Sequence, residues 1–315
     1  MASIQLSFSV LSCLFLSLLC PASASGSTTD AQPMRDVLAL ASTDMSGRAT
    51  GTKGSELARS YIIGRINALG LQACGTELIH EFSFTNPNAD TIQGRNILAC
   101  QPGSLSDHAT APLIVFSAHY DHLGMRGDKI YFGADDNASG VAGVLAIAEA
   151  MQKNPPQHDV IYVFFDAEEQ QLNGSRAFAA KPLIDLKRVG LNMNFDMIAR
   201  GDKGEIYASG SYHVPVLKTL LAPLGGNNGV KLLFGHDRPE QGQDDWTKQS
   251  DHYAFFKAGV PYIYFGVEDH PDYHQPTDTV DKIKPEFFLG VIDLIVKASQ
   301  TFDQALLTID FRQKN

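Results

Sequence analysis

Imidazole and carboxylate side chains gather at two points of the sequence, each at the border of a predicted element. Residues 113–118 form an apolar, β-rich run typical of a buried strand, and His119 and Asp121 follow it. Residues 133–140, which include Asp136, form a polar segment after which the pattern turns helical. Open α/β sheets bind ligands where strands end and helices begin. We therefore interpret these residues as half of a metal site.

Further groups of the same types follow three later β-rich runs. These runs are residues 159–165, 189–195 and 260–266. The groups that follow them are Glu168, Glu169, Asp196 and His274. A single imidazole or carboxylate at the end of a strand is usually a cap or a surface group. The repeated placement instead predicts that these side chains meet at one edge of a sheet.

Zinc suits this set, because it accepts nitrogen and oxygen ligands and keeps a position for water in catalytic sites. Two ions balance the charge better than one. Their four positive charges face the three carboxylates of Asp136, Glu169 and Asp196, and a hydroxide completes neutrality. The charge balance holds only for carboxylates that bind the metal and not for those that are hydrogen-bonded elsewhere.

Two acidic residues are predicted to assist the metal instead of binding it. Glu168 should point away from its neighbour Glu169, because successive side chains alternate on an extended segment. It is then free to take a proton from an activated water and return it to a leaving amine. Asp121 is predicted to accept the second imidazole N–H of His119 and fix its tautomer.

Composition and periodicity set the frame for this site. The chain has 315 residues, 44% of them hydrophobic, which favours one large α/β domain over two small ones. Alternating strand and helix patterns predict a three-layer αβα sandwich around a mainly parallel, doubly wound sheet. The net charge of -10 argues against a nucleic-acid surface, which would need a basic face.

The first 24 residues have the pattern of a signal peptide. An apolar run at residues 10–19 precedes Pro21 and the small residues Ala22, Ser23 and Ala24. Cleavage after Ala24 would start the mature chain at Ser25, in the periplasm or the medium. The apolar run is short for a single-span anchor, and the segment before it has no Lys or Arg.

Cys74 and Cys100 are the two cysteines that remain after this cleavage. In an oxidising compartment we expect them to form a disulfide, since each lies beside a predicted strand. Two buried free thiols are the alternative.

Six motifs occur in the chain in a fixed order. They are His119-Tyr120-Asp121, residues 133–140, Glu168-Glu169, Asn194-Phe195-Asp196-Met197, Ser250-Asp251-His252 and residues 274–279. Together they resemble peptidase family M28, a family of zinc aminopeptidases, and the resemblance runs from about residue 38 to residue 295. The resemblance implies a zinc-exopeptidase fold over residues 25–315, as a single domain.

The resemblance also implies two zinc ions. The first would be held by His119 and Asp196, the second by Glu169 and His274, with Asp136 bridging and Glu168 as general base. A cis peptide bond is expected at Asp136-Asn137. Several relatives place a Tyr shortly before the Ser-Asp-His motif to steady the oxyanion, whereas Trp246 and Thr247 stand here.

The expected function is an exported two-zinc aminopeptidase that acts on peptides with a free N-terminus, without nucleic acid or stable membrane association. Glutaminyl cyclases and carboxypeptidases with related sites, and a non-catalytic receptor-like module, are the alternatives. Several residues near the motifs are expected to have supporting or structural roles instead of binding metal, and among them Asp135 is expected to serve the hydrogen bonds of its own loop. They are His122, His252, His270, Asp135 and Asp251.

Overall fold

The structure is a computed structural model that describes Met1, residues 30–226 and residues 229–313. Apart from Met1, the predicted signal peptide lies outside these residues. Within them no helix combines the length and the apolar character needed to cross a bilayer.

The strands and helices alternate along most of the chain. The strands are β1 (Gln72–Ala73), β2 (Ile79–Thr85), β3 (Thr91–Gln101), β4 (Leu113–His119), β5 (Gly124–Arg126), β6 (Lys129–Tyr131), β7 (Asp159–Phe165), β8 (Val189–Phe195), β9 (Glu205–Ser209), β10 (Lys231–Phe234) and β11 (Tyr262–Gly266). The α-helices are α1 (Gln32–Leu40), α2 (Lys53–Ala68), α3 (Gly140–Lys153), α4 (Asn173–Ala180), α5 (Pro215–Leu221), α6 (His252–Lys257) and α7 (Pro285–Ala305).

The centre of the main sheet consists of four parallel strands in the order β7, β4, β8 and β11. Every residue of β4 and of β8 is buried. This explains the apolar run of β4, because a strand covered on both faces has no polar side. The buried Asn192 and Asn194 of β8 instead donate hydrogen bonds to Ser117 and Ser250. Antiparallel strands flank the centre, with β3 beside β7 and β9 beside β11.

Two apolar cores lie on opposite faces of this sheet. Ile114 and Phe116 of β4 belong to the core that includes side chains of α3 and α7, whereas Val115 belongs to the core that includes Phe178 of α4 and Phe255 of α6. Successive side chains of a strand point to opposite faces, so helices cover both sides. The predicted three-layer αβα fold is confirmed.

This topology decides where the site can form. The four central strands are parallel neighbours, so their carboxyl ends meet at one edge of the sheet. The polar residues that follow β7, β4, β8 and β11 therefore approach each other, although they are far apart in sequence.

Two hydroxyl side chains stand at the beginnings of helices. Thr52 is the N-cap of α2, and its hydroxyl accepts a hydrogen bond from the amide of Ser55. Ser250, shortly before α6, accepts a hydrogen bond from the carboxamide of Asn194 and so links this helix to β8.

The expected disulfide between Cys74 and Cys100 is present. Antiparallel pairing of β1 with β3 brings the two residues together, since Gln72 pairs with Cys100 and Ala73 with Ala99. The bond joins residues 26 positions apart, and for a loop of this length the restriction of the unfolded chain contributes about 3.5 kcal/mol to stability.

Candidate metal centre

His119 and Asp196 leave neighbouring strands side by side. His119 is the last residue of β4, and Asp196 directly follows β8. The two strands are paired in parallel, and His119 Nε2 lies 3.2 Å from Asp196 Oδ1. Both side chains are buried.

Asp136 lies between this pair and a second imidazole. Its Oδ1 is 3.5 Å from His119 Nε2, and its Oδ2 is 3.2 Å from His274 Nε2. One carboxylate oxygen thus faces each imidazole, the arrangement that a bridging ligand requires. The Asp136-Asn137 peptide bond is cis, as predicted.

The turn that carries Asp136 is tightly packed. Gly133 adopts a left-handed φ of 59°, which a residue with a side chain rarely accepts. A Cβ there would lie 2.1 Å from the carbonyl oxygen of Asp136 and would also meet the ring of His122. The glycine therefore allows the close approach that presents the Asp136 carboxylate.

Glu169 completes the other half of the cluster. Its Oε2 is 3.2 Å from His274 Nε2, and its Oε1 is 2.7 Å from His122 Nδ1. His122 Nδ1 also lies 3.6 Å from Asp136 Oδ2. The sequence interpretation expected His122 near the cluster in a supporting or structural role and did not assign it a partner. The only sequence signal was its spacing of three residues from His119.

Glu168 faces the first half of the cluster. Its Oε2 lies 3.9 Å from His119 Nε2, further than the Asp196 oxygen, and its side chain is 12% exposed. The two adjacent glutamates therefore face different halves. The extended backbone that was expected to cause this divergence is absent, because Glu168 lies in a bend and Glu169 in the turn that follows β7.

The predicted role of Asp121 differs from the observed contacts. His119 Nδ1 lies 3.2 Å from the main-chain oxygen of Asp121 and 3.7 Å from its carboxylate. The carboxylate instead accepts the amides of Glu168 at 3.0 Å and Glu169 at 3.3 Å. Asp121 therefore holds the main chain of the glutamate pair, and its carbonyl oxygen is the closer partner of the imidazole.

The buried carboxylates control the charge of the imidazoles. Burial lowers the pKa of His119, but Asp196 and Glu168 outweigh this effect and raise it well above its usual value. Burial likewise opposes the charge of His274, whereas Asp136 and Glu169 raise its pKa to about 10. Burial, together with the carboxylates of Asp196, Asp251 and Glu169, raises the pKa of Glu168 well above its normal value.

The residues present fit a metal. Several buried polar atoms have no hydrogen-bond partner among the described residues, which is costly unless a ligand satisfies them. In the cluster they include both ring nitrogens of His122, Oδ2 of Asp136 and Oε1 of Glu169, whose short contacts with the neighbouring imidazoles lack the angles of a hydrogen bond. Two groups of three side chains can each place ligand atoms within 4.8 Å of one another. They are His119, Glu168 and Asp196, and His122, Asp136 and Glu169.

All of the residues predicted for the site lie together, and a cavity of about 270 Å³ opens beside them. Its wall beyond the cluster is largely apolar or aromatic. That part of the lining includes Leu172, Met197, Trp246, Tyr264, Val267 and Tyr273. Trp246 lines the cavity, whereas the hydroxyl of Thr247 contacts Asp245, His213 and Tyr262.

The other polar residues near the motifs belong to neither group that could hold a metal, and the side chain of Asp135 contacts other segments instead of its own loop. Asp135 accepts the amide of Ala199 at 2.7 Å, and its second oxygen lies 3.1 Å from His270 Nε2. His252 Nε2 lies 3.0 Å from the main-chain oxygen of Trp246. Asp251 is buried immediately before α6.

Comparison with known proteins places this site in a family. The model of peptidase family M28 matches residues 96–299, which include every predicted metal ligand. The chain belongs to peptidase family M28. This M28 chain is 29% identical over 248 residues to a vacuolar membrane protease of Schizosaccharomyces pombe, covering 74% of the chain and 27% of that protein. It is 29% identical over 224 residues to a probable lipoprotein aminopeptidase of Mycobacterium tuberculosis, covering 62% and 43%.

Solved structures show the same fold. A zinc aminopeptidase from Bacillus subtilis is 25% identical with a TM-score of 0.52, and the match covers 67% of the M28 chain and 50% of that chain. A glutaminyl cyclase from Fimbriiglobus ruber is 21% identical with a TM-score of 0.66, covering 86% and 94%. The M28 chain thus spans less than half the length of the first curated relatives that it matches. The family and the zinc aminopeptidase neighbour support zinc as the metal.

Proposed function

We propose that this protein is a zinc aminopeptidase that binds two ions and removes N-terminal residues from peptides. The observation that carries the proposal is the position of Asp136, with one oxygen 3.5 Å from His119 Nε2 and the other 3.2 Å from His274 Nε2. A carboxylate between two imidazoles, each beside a further carboxylate, suits a pair of ions that share one ligand.

In this proposal His119 and Asp196 hold one ion, Glu169 and His274 hold the other, and Asp136 contacts both. Bound zinc supplies Lewis acidity, which makes a water nucleophilic near neutral pH. His122 lies close enough to Glu169 to orient its carboxylate, at 2.7 Å.

Glu168 is the proposed proton carrier. Its carboxylate is near the His119 and Asp196 half of the cluster and lines the cavity. It can accept a proton from the attacking water and deliver it to the nitrogen of the leaving amine. The hydrogen bond from the Glu168 amide to Asp121 fixes the main chain from which the carboxylate reaches.

The charge of the cavity favours the amino end of a peptide over the carboxyl end. Its described lining contains five acidic residues and no Lys or Arg. With Asp136, Glu169 and Asp196 neutralised by the two ions, Glu168 and Asp269 remain as carboxylates that a protonated N-terminal amine can approach, and no Lys or Arg of the described lining is there to pair with a C-terminal carboxylate. One of them, Asp269, belongs to none of the predicted metal ligands and lies at the exposed edge of the cavity.

A substrate panel tests this activity. The panel consists of aminoacyl chromogenic substrates, the same compounds with acetylated N-termini, peptides that differ in their C-terminal residue, and a peptide that begins with glutamine. Each substrate is incubated with the enzyme, with chelator-treated enzyme, and with treated enzyme to which zinc has been restored. We expect cleavage of the free N-termini alone, loss with chelator and recovery with zinc. Release of C-terminal residues, or cyclisation of the glutamine peptide without hydrolysis, would contradict the proposal.

Export is also part of the proposal. The signal-like pattern of residues 1–24 and the Cys74–Cys100 disulfide both suit an oxidising compartment outside the cytoplasm. Expression of the full chain in a bacterial host should give a mature protein of one domain that begins at Ser25 and is recovered from the periplasm or the medium. N-terminal sequencing that finds residues 1–24 retained would reject this part.

A further inference from the structure

Arg48 is fully buried beside the candidate metal centre, although nothing in the sequence motifs assigns it a role. Its guanidinium donates hydrogen bonds to main-chain carbonyl oxygens from three separate segments. They are those of Tyr120 at 2.8 Å, Leu40 at 2.9 Å, Phe132 at 2.6 Å, Gly133 at 2.9 Å and Asp136 at 3.4 Å. Such a set uses the planar fork of donors that only arginine offers.

Two of those segments carry proposed metal ligands. Tyr120 directly follows His119, the last residue of β4. The hydrogen bond to its carbonyl oxygen therefore holds the main chain next to His119. The carbonyls of Phe132, Gly133 and Asp136 belong to the turn that presents the Asp136 carboxylate. Arg48 is thus the common partner of two main-chain segments whose side chains must stay 3.5 Å apart, between His119 Nε2 and Asp136 Oδ1.

The opposite side of the Asp136 turn is held by an anion. The Asp278 carboxylate accepts the amide of Asp135 at 3.0 Å and the amide of Asp136 at 3.0 Å. The carbonyl groups of the turn therefore accept hydrogen bonds from the Arg48 cation, and its amides donate hydrogen bonds to the Asp278 carboxylate. With both sides fixed, it has little freedom to relax if one partner is shortened.

Arg48 keeps its charge in this position, because an arginine side chain is not deprotonated in proteins. The charge of the guanidinium strengthens each of its hydrogen bonds to the carbonyl oxygens.

We propose that Arg48 is a positioning residue that ties the His119 segment to the Asp136 turn and thereby sets the geometry of the metal position that His119 and Asp136 share. This inference rests on the proposed two-zinc function. It predicts that Arg48 controls metal affinity and geometry without touching substrate or metal.

The test compares Arg48→Lys with Arg65→Lys. Lysine keeps the charge at position 48 but cannot donate to five oxygens in a planar arrangement. Arg65 also makes a partly buried contact, 2.9 Å from Asp36, but it lies on α2 away from the site. The full chain should be stripped of metal, titrated with zinc by calorimetry and, separately, loaded with cobalt for its visible spectrum. Thermal unfolding of the stripped proteins reports the loss of stability in each variant.

We expect zinc binding by Arg48→Lys to weaken about 10- to 100-fold, the range found when an outer partner of a metal ligand is lost, with an altered cobalt spectrum. Arg65→Lys should lower the melting temperature but keep wild-type zinc affinity and spectrum. The inference is overturned if the two variants have the same zinc affinity and spectrum. Arg48→Gln provides a second variant, and failure of both position-48 variants to fold where Arg65→Lys folds would reduce Arg48 to a structural role.

The proposed function can fail separately in the same titration. Wild-type protein that binds one zinc or none would overturn the two-zinc site, and the inference with it. Wild-type protein that binds two ions, with unchanged affinity in Arg48→Lys, would overturn the inference alone.

Discussion

Replacement of Glu168 by glutamine is expected to lower kcat about 10²- to 10⁴-fold, the usual contribution of a general acid–base group, while zinc content stays at the wild-type level. Glutamine has nearly the same shape, so the amide hydrogen bond from residue 168 to Asp121, 3.0 Å long, should persist. The glutamine side chain, unlike a carboxylate, cannot accept and return a proton. The loss should therefore fall on kcat more than on KM, because binding of the substrate is kept.

Steady-state kinetics on a free aminoacyl substrate and zinc analysis of the same preparation check this prediction. Glu56→Gln is a suitable control, because Glu56 lies exposed on α2 and contacts Lys53. Turnover of Glu168→Gln close to that of the control would remove the general-base role. A parallel loss of zinc would show that Glu168 is itself a ligand. Its carboxylate lies close enough to His119 and Asp196 for that role.

Replacement of Asp136 by asparagine should have the largest effect on the metal itself. Its two oxygens face His119 and His274, so a change of this side chain reaches both halves of the cluster. Asparagine removes the negative charge and turns one oxygen into an N–H donor. We expect the affinity for both ions to fall more than about 100-fold, beyond the loss caused by an outer partner, and activity to fall to background.

Glu169→Gln is the matched comparison, since Glu169 contacts His122 and His274 and belongs to one half alone. Zinc per chain after dialysis at limiting free zinc should fall at both positions in Asp136→Asn and at one position in Glu169→Gln. Retention of one tightly bound zinc in Asp136→Asn would mean that Asp136 serves a single ion, and the bridging role would be rejected.

Much of the fold could be predicted, because strands buried on both faces have recognisably apolar sequences. The apolar runs of β4 and β7 follow from their position between two layers of helices. Short elements left no such trace. The two-residue β1 and the hairpin of β5 with β6 were not predicted, because runs of two or three residues have no measurable periodicity.

The cluster of candidate ligands was predictable for a related reason. Polar residues at the ends of parallel strands must meet if the strands are neighbours, and the order β7, β4, β8 and β11 makes them so. The sequence does not specify that order, since each apolar run would fit any interior place in the sheet. The cis bond at Asp136-Asn137 and the disulfide were also expected, from family resemblance and from the predicted export respectively.

The sequence by itself determined the fold class, the family and the group of residues from which a metal site would be built, because residue types and strand ends are local properties. Only the tertiary structure decided which atom serves which partner. It brought His122 beside Glu169, turned the carboxylate of Asp121 to the amides of the glutamate pair, and placed Arg48 on carbonyls up to 88 residues away. These contacts depend on how loops pack against distant segments, and no pattern in the neighbouring sequence encodes that packing.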